Sequence, residues 1–182
     1  MQLDYTHILN HPRQSVWDAM LDADVMSRLI PGIEKFEEVA PDKYSIVAML
    51  GVPTVKGKYS GKVEILERKE PSSYRLHGEG SGAPGWAKGD VVMTLTAVDP
   101  NTTRVNAKAR ADIGGTIAGV GQRMMEGVGK AMAREFFNSL DAELQGREQK
   151  VGAFRFSVRV LFAMVRNVLR RVFRGRAAGE VT

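Results

Sequence analysis

The spacing of hydrophobic and polar residues predicts strands over much of the first 112 residues. Leu3–Leu9 alternates and predicts a first strand. Further alternating or β-branched segments, bounded by proline, glycine and asparagine, predict five more strands, approximately at Tyr44–Leu50, Thr54–Arg68, Ser73–Gly82, Gly89–Val98 and Thr103–Asp112. The connections between these five are short, which suits antiparallel pairing and leaves no room for crossovers.

Helical spacing replaces this alternation at two places in the first 146 residues. Two short helices are predicted at Val16–Leu21 and Asp24–Leu29, the second ended by Ile30-Pro31-Gly32. A long helix is predicted from Thr116 to about Leu144, with one broad apolar arc. Because an antiparallel sheet must bury one face and this helix is its one large apolar partner, the predicted fold is an α+β helix-grip arrangement.

Strand alternation also predicts which side chains face the long helix. Most inward rows carry large residues toward one end and small ones toward the other, with Tyr59 as an exception. The small positions are Gly57, Gly61, Gly78, Gly80, Gly82, Ala107, Ala109 and Ala111, and the helix adds Gly121 and Gly129. Two interpretations stay open, since such a set serves a strongly curved sheet with a closely packed helix, or it leaves a cavity.

If a cavity is present, the flexible methionines and other apolar residues around it are its candidate lining. The candidate ligand-binding residues are Met20, Leu29, Ile30, Gly78, Gly80, Trp86, Met93, Ala107, Ala109, Ile117, Gly121, Met124, Val128 and Met132. Trp86 is expected in a turn, as a rim residue.

The glycines at 80, 82 and 85 match the spacing of a dinucleotide-binding loop. That fingerprint needs a helix immediately after the last glycine, because the helix N-terminus holds the pyrophosphate. Pro84 interrupts the match, and Asp90–Val98 is typical of a strand. A nucleotide site is therefore not expected here.

Catalytic and metal-binding patterns are weak. The chain has no cysteine, and its histidines are His7, His11 and His77. His77 is expected to face solvent, and Pro12 argues against a shared helix face for the other two. No metalloprotease or nucleophile-elbow motif is present. The sequence predicts a non-catalytic protein without a metal.

Residues 151–182 differ from the rest in charge. They hold seven arginines and one acid, whereas the remainder has 19 basic and 20 acidic residues. After a polar linker at 147–153, residues 154–174 place arginines on one side of a helical wheel and apolar residues on the other. The predicted membrane-binding residues are Phe154, Arg155, Val158, Arg159, Leu161, Phe162, Val165, Arg166, Val168, Leu169, Arg170 and Val172.

This basic amphipathic pattern suits a helix lying in an anionic membrane surface better than one crossing it, because buried arginines are costly. Docking on the protein's own body or a partner protein, and nucleic-acid binding, are the alternatives. The apolar face disfavours nucleic acid. Residues 175–182 are expected to be a flexible tail.

Several segments in order resemble the CoxG-like family of carbon monoxide dehydrogenase accessory proteins, within the START-like (SRPBCC) superfamily. They are Val16–Met20, Ile30–Gly32, Gly57–Val63, Leu76–Gly80, Ala87–Gly89, Gly114–Ala118, Gly121–Arg123 and Phe136-Phe137. The resemblance covers roughly residues 1–145 and implies an apolar cavity between sheet and helix. It also implies a non-catalytic accessory role beside an aerobic carbon monoxide dehydrogenase or a related molybdenum hydroxylase.

From this we expect a START-like ligand-binding domain at 1–146 that holds a quinone, menaquinone or ubiquinone, with no tightly bound cofactor. The protein is expected in the cytoplasm, peripheral on the inner membrane through anionic lipid, without a nucleic-acid partner. The alternative is a docking or assembly protein that anchors the dehydrogenase without ligand transfer. A hydrolase or cyclase of the superfamily would need a polar cluster in the cavity, which the sequence does not show.

Overall fold

The computed structural model describes residues 1–50 and 56–146, and in them seven strands form one antiparallel sheet. The strands are β1 (Gln2–Leu9), β2 (Ile33–Ala40), β3 (Lys43–Leu50), β4 (Gly57–Lys69), β5 (Ser73–Gly82), β6 (Gly85–Asp99) and β7 (Thr102–Gly115). Their order across the sheet is β1-β7-β6-β5-β4-β3-β2. From β2 to β7, each strand pairs with the next strand in the sequence, which makes a meander. Strand β1 pairs with β7 at the end of this meander.

The helices are placed before and after the meander. Helices α1 (Arg13–Leu21) and α2 (Ala23–Leu29) connect β1 to β2. The Asp22 side chain caps α2 by accepting hydrogen bonds from the backbone of its first turn. A short 3-10 helix (Thr116–Val120) follows β7, and helix α3 occupies residues 122–146. The predicted sheet that grips a long C-terminal helix is confirmed.

Two predicted elements need correction. Strand β2 was missing from the prediction, because it is an edge strand with bulges near both ends and little burial, so its residues barely alternate. The helix predicted from Thr116 is also not continuous, because the 3-10 turn ends at Gly121, whose φ of 88° breaks the helical path. The regular helix α3 begins only after that glycine.

The hydrophobic core lies at the end of the sheet nearest α1 and α2. Phe137 of α3 stacks on Tyr5 and His7 of β1, with ring centroids 5.9 and 5.3 Å apart. Leu140 and Leu144 are buried in the same cluster. Nε2 of the buried His11 lies 3.0 Å from Asp141 Oδ1 on α3. This end of α3 is therefore held by a hydrogen bond as well as by apolar packing.

The chain divides into two compact units, Met1–Leu144 and Gln145–Thr182. The first unit contains the whole sheet. The predicted linker, amphipathic helix and flexible tail at 147–182, with every predicted membrane-binding residue, lie outside the described residues.

Candidate ligand cavity

The pairing register aligns the inward side chains of neighbouring strands into rows. Near α1 the rows are large, and Tyr74 pairs with Met93. Toward the other end they become small: Gly78 pairs with Gly89, and Gly80 pairs with Ala87. The predicted gradient from large to small residues is confirmed, because alternation puts residues two apart on one face and pairing aligns them across strands.

A cavity of about 360 Å³ opens over the small rows, and this volume is in the range of small-molecule pockets. Its inward-facing lining comes from five adjacent strands, β3 to β7: Ile46, Ala48, Tyr59, Gly61, Val63, Leu76, Gly78, Gly80, Ala87, Gly89, Val91, Ala109 and Ala111. Among these side chains the Tyr59 hydroxyl is the single polar group. The inward-facing part of the lining therefore suits an apolar ligand. The polar residues that also border the cavity alternate with it along the strands: Ser60, Lys62, Glu79, Lys88, Asp90 and Arg110.

The glycines beneath this cavity fall into two groups. At Gly61, Gly82 and Gly89, an added Cβ would overlap the backbone of a neighbouring strand. At Gly78 its nearest neighbour would be Val63 at 3.6 Å, and at Gly80 the Ser60 carbonyl oxygen at 3.5 Å, both ordinary contacts. The first group lets the strands approach and bend, whereas the second keeps space open. The first group therefore fits the interpretation of a strongly curved sheet, and the second group fits that of a cavity.

The glycines on the helical side differ in the same way. An added Cβ at Gly129 would meet Met1 at 3.3 Å and Leu3 at 3.5 Å, so α3 lies close against β1 there. Around Gly121, no atom of the described residues lies within 4 Å of such a Cβ. Helix α3 thus lies close against the edge strand β1 at Gly129, whereas the space around Gly121 is open.

Three of the predicted ligand-binding residues, Gly78, Gly80 and Ala109, line the cavity. A second set is buried in the core at the α1 end: Met20, Leu29, Met93 and Ala107. Ile117 is buried separately in the 3-10 helix. The remaining predicted residues are less buried: Ile30 caps α2, Val128 and Met132 are half-buried on α3, and Gly121 and Met124 are exposed.

Trp86 does not face this cavity. It belongs to β6 from the start of the strand, and it pairs with Ser81 and with Gly114, which point to the outer face. An added Cβ at Gly114 would overlap the indole ring, so the ring lies over that glycine. The prediction of a turn at Trp86 was wrong because it began β6 four residues too late.

Several lining residues were absent from the predicted site, among them Ile46, Ala48, Val63, Ala87, Val91 and Ala111. Val63, Val91 and Ala111 have the predicted inward parity but were not chosen as site residues. Ile46 and Ala48 follow from pairing β3 with β4, since Ile46 pairs with Gly61 and Ala48 with Tyr59. The pairing of β3 with β4 is thus what identifies Ile46 and Ala48 as lining residues, and the pattern within a single strand does not reveal it.

Burial affects the tyrosines around the cavity. It raises the pKa of Tyr59, which lines the cavity. At Tyr44, which stacks on Phe36 with centroids 4.9 Å apart, burial and then the nearby Glu38 carboxylate raise the pKa. Both phenols therefore remain protonated near neutral pH, so a ligand in the cavity would meet the neutral hydroxyl group of Tyr59.

The outer face of the sheet is polar. His77 lies there, as predicted, with Nδ1 3.1 Å from Asp90 Oδ1, while Arg75 pairs with Glu67 at 2.7 Å. Within residues 1–50 and 56–146, no group of three or more potential ligands could hold a metal ion. In the same ranges, no helix is both long and apolar enough to span a bilayer.

Known proteins match this chain at the level of the family. The family model for the G subunit of carbon monoxide dehydrogenase (CoxG) matches residues 7–145. The chain belongs to the CoxG family. A search of curated proteins found no match. Membership in CoxG implies association with carbon monoxide dehydrogenase and suggests a non-catalytic role.

Solved structures share the fold. A conserved protein from Geobacillus kaustophilus is 30% identical with a TM-score of 0.78, over 80% of this chain and 96% of that one. A START superfamily protein from Mycobacterium smegmatis has 9% identity and a TM-score of 0.65, covering 80% and 97%. The Zhui aromatase/cyclase from Streptomyces sp. R1128 has 14% identity and a TM-score of 0.61, covering 81% and 94%. The START-like helix-grip fold is confirmed, and family and fold together suggest a ligand-binding accessory protein.

Proposed function

We propose that this CoxG protein binds a respiratory quinone in the cavity and serves, without catalysing a reaction itself, as an accessory of an aerobic carbon monoxide dehydrogenase or a related molybdenum hydroxylase. The observation that carries the proposal is the apolar cavity kept open by Gly78 and Gly80. Its inward-facing side chains include no carboxylate or imidazole among the described residues, which disfavours acid–base catalysis there.

The size of the cavity limits what it holds. About 360 Å³ corresponds to roughly a dozen water volumes of about 30 Å³ each. That space suits the ring head group of menaquinone or ubiquinone but not a long isoprenoid chain. The chain would extend through the open side of the cavity, which fits a carrier that exchanges its ligand with a lipid phase.

The sequence of residues 154–174 supplies the second half of the proposal. Arginines on one side and apolar residues on the other favour binding to an anionic membrane surface. Each arginine close to such a surface contributes about 1 kcal/mol, weakened by salt. Peripheral attachment to the inner membrane would place the protein where quinones are stored.

Lipid analysis tests the ligand. Full-length protein purified from quinone-rich cells is extracted, and the extract is analysed by mass spectrometry, with the Gly80→Leu variant as a matched control. We expect menaquinone or ubiquinone in the first extract and a strongly reduced amount in the second. Repeatedly empty wild-type protein would contradict the proposal.

The alternative is a docking or assembly protein whose C-terminal segment binds the dehydrogenase without ligand transfer. Liposome flotation separates the two functions. Loss of binding to anionic vesicles in the double variant Arg159→Glu, Arg166→Glu supports membrane attachment. Wild-type protein that does not float with anionic vesicles favours docking instead.

A further inference from the structure

One end of the domain brings together the open end of the sheet and the start of α3. An added Cβ at Gly57 would lie 2.9 Å from Pro84, so the start of β4 adjoins the β5–β6 turn. The Pro84 carbonyl oxygen accepts hydrogen bonds from Thr116 Oγ1 at 2.6 Å and Ile117 N at 3.1 Å. The 3-10 helix is thereby fixed to the same turn. We refer to this end as the mouth end, since the small rows of the cavity lie there.

Three large apolar side chains are exposed at the mouth end. They are Met49 at 43%, Trp86 at 46% and Met124 at 51%. Among the described residues, Trp86 is the most solvent-exposed aromatic residue. Its indole ring covers Gly114, a position at which any larger residue would collide with the ring. The pairing of β6 with β7 therefore holds Trp86 in this exposed position.

Charge at this end does not oppose an anionic surface. Lys58 is paired with Glu34 at 2.9 Å, and Lys88 lies opposite Asp112 in the register. Lys56 and Arg123 are also exposed. Among the residues named here, four bases thus accompany the two acids Glu34 and Asp112, a balance that does not repel anionic lipid.

The chain leaves the domain at the opposite end. Helix α3 starts at residue 122, at the mouth end, and its 25 residues extend over about 37 Å. Near its other end, Leu144 is buried in the core and Glu143 pairs with Arg28 of α2 at 2.8 Å. Helix α3 thus extends from the mouth end of the domain to the core near α2.

We propose that Met49, Trp86 and Met124 form a second membrane contact, which inserts into the bilayer interface and brings the cavity opening to the lipid. This inference rests on the proposed function of quinone exchange with the membrane. Tryptophan favours the headgroup level of bilayers, because its ring is amphipathic. The C-terminal segment then supplies attachment, and the exposed residues of the mouth end supply orientation.

Tryptophan fluorescence reports this contact directly. The chain has two tryptophans, and Trp17 is 3% exposed in the core, against Tyr74 at a ring distance of 5.5 Å. A change on adding vesicles thus reports Trp86. With full-length protein and phosphatidylglycerol–phosphatidylcholine vesicles, we expect a blue shift of the emission and quenching by brominated acyl chains. Both changes should be lost in Trp86→Phe.

Ligand transfer supplies the second readout. Trp86→Ser should slow quinone transfer from vesicles while flotation through the C-terminal segment persists. The matched control is Val92→Ser, since Val92 is 43% exposed on the same strand and face but away from the mouth end. Transfer by the control variant should keep the wild-type rate.

The outcomes separate the two proposals. Wild-type protein that fails to float overturns the membrane part of the proposed function, and this inference with it. Protein that floats but shows unchanged, unquenched Trp86 emission overturns this inference alone. A Trp86 shift that occurs only with the dehydrogenase, and not with vesicles, overturns it in favour of a protein-docking surface.

Discussion

Replacement of Gly80 with leucine should weaken ligand binding and leave the fold intact. Gly80 lines the cavity near the end of β5, and its φ is not in the left-handed region. The new Cβ would meet the Ser60 carbonyl oxygen at 3.5 Å and Gly61 Cα at 3.7 Å, so the backbone need not move. Replacing a strand glycine also removes a local cost of about 0.5–1 kcal/mol.

The leucine side chain adds four carbon atoms, or about 120 Å³ if each takes roughly the volume of a water molecule. That is about a third of the cavity of about 360 Å³. Forcing a ligand into a space filled by that amount costs about 1–3 kcal/mol, as overpacking does in protein cores. Binding should therefore weaken by about five- to 150-fold.

Calorimetric titration with a short-chain quinone measures the affinity, and urea unfolding measures the stability. Ser81→Leu is the matched control, because Ser81 is the next residue of β5 and points to the outer face. It should bind as the wild type does. Unchanged quinone affinity in Gly80→Leu, with a stable fold, would refute the reasoning and leave Gly80 with only a role in strand geometry.

Two further predictions concern stability. Gly89→Ala should lower the free energy of unfolding in urea by about 1–3 kcal/mol, because its Cβ would lie 2.7 Å from Ala111 Cα. Gly78→Ala should not lower it, because the nearest atom to its Cβ would be in Val63 at 3.6 Å, an ordinary contact. Burial raises the pKa of Tyr74 above its usual value of 10. The stabilisation that the buried neutral phenol contributes is therefore complete below about pH 10, and it is lost as the pH rises further. Urea unfolding from pH 8 to 11 should show this loss in the wild type and a smaller one in Tyr74→Phe.

The inward face of the sheet could be predicted because strand alternation has a fixed period of two. Once Tyr74 and Leu76 are placed inside, Gly78 and Gly80 follow, and the register agrees. The edge strand β2 could not be found in this way. Residues from Ile33 to Ala40 are mostly exposed, and bulges interrupt their alternation. An edge strand with little buried surface carries a weak pattern.

Trp86 shows where such reasoning fails and why. Gly82 and Gly85 pair directly across a two-residue turn, so β6 starts at Gly85. A prediction that begins the strand at Gly89 leaves Trp86 in a loop, where parity does not apply. Because neighbouring residues of a strand point to opposite faces, the true start assigns Trp86 to the outer face. The length of the β5–β6 turn therefore decides which face of the sheet Trp86 occupies.

The division among the glycines explains how one small sheet can be both stable and hollow. Gly61, Gly82 and Gly89 allow neighbouring backbones to approach, and at these positions a side chain would disturb the strand pairing. The closely packed core is elsewhere, where Phe137 and Leu140 of α3 meet β1 and α1. The open space over Gly78 and Gly80 thus removes few contacts from that core. Because the closely packed core and the ligand space lie at different ends of the sheet, substitutions at Gly78 and Gly80, where an added side chain has room, can change binding with little effect on folding.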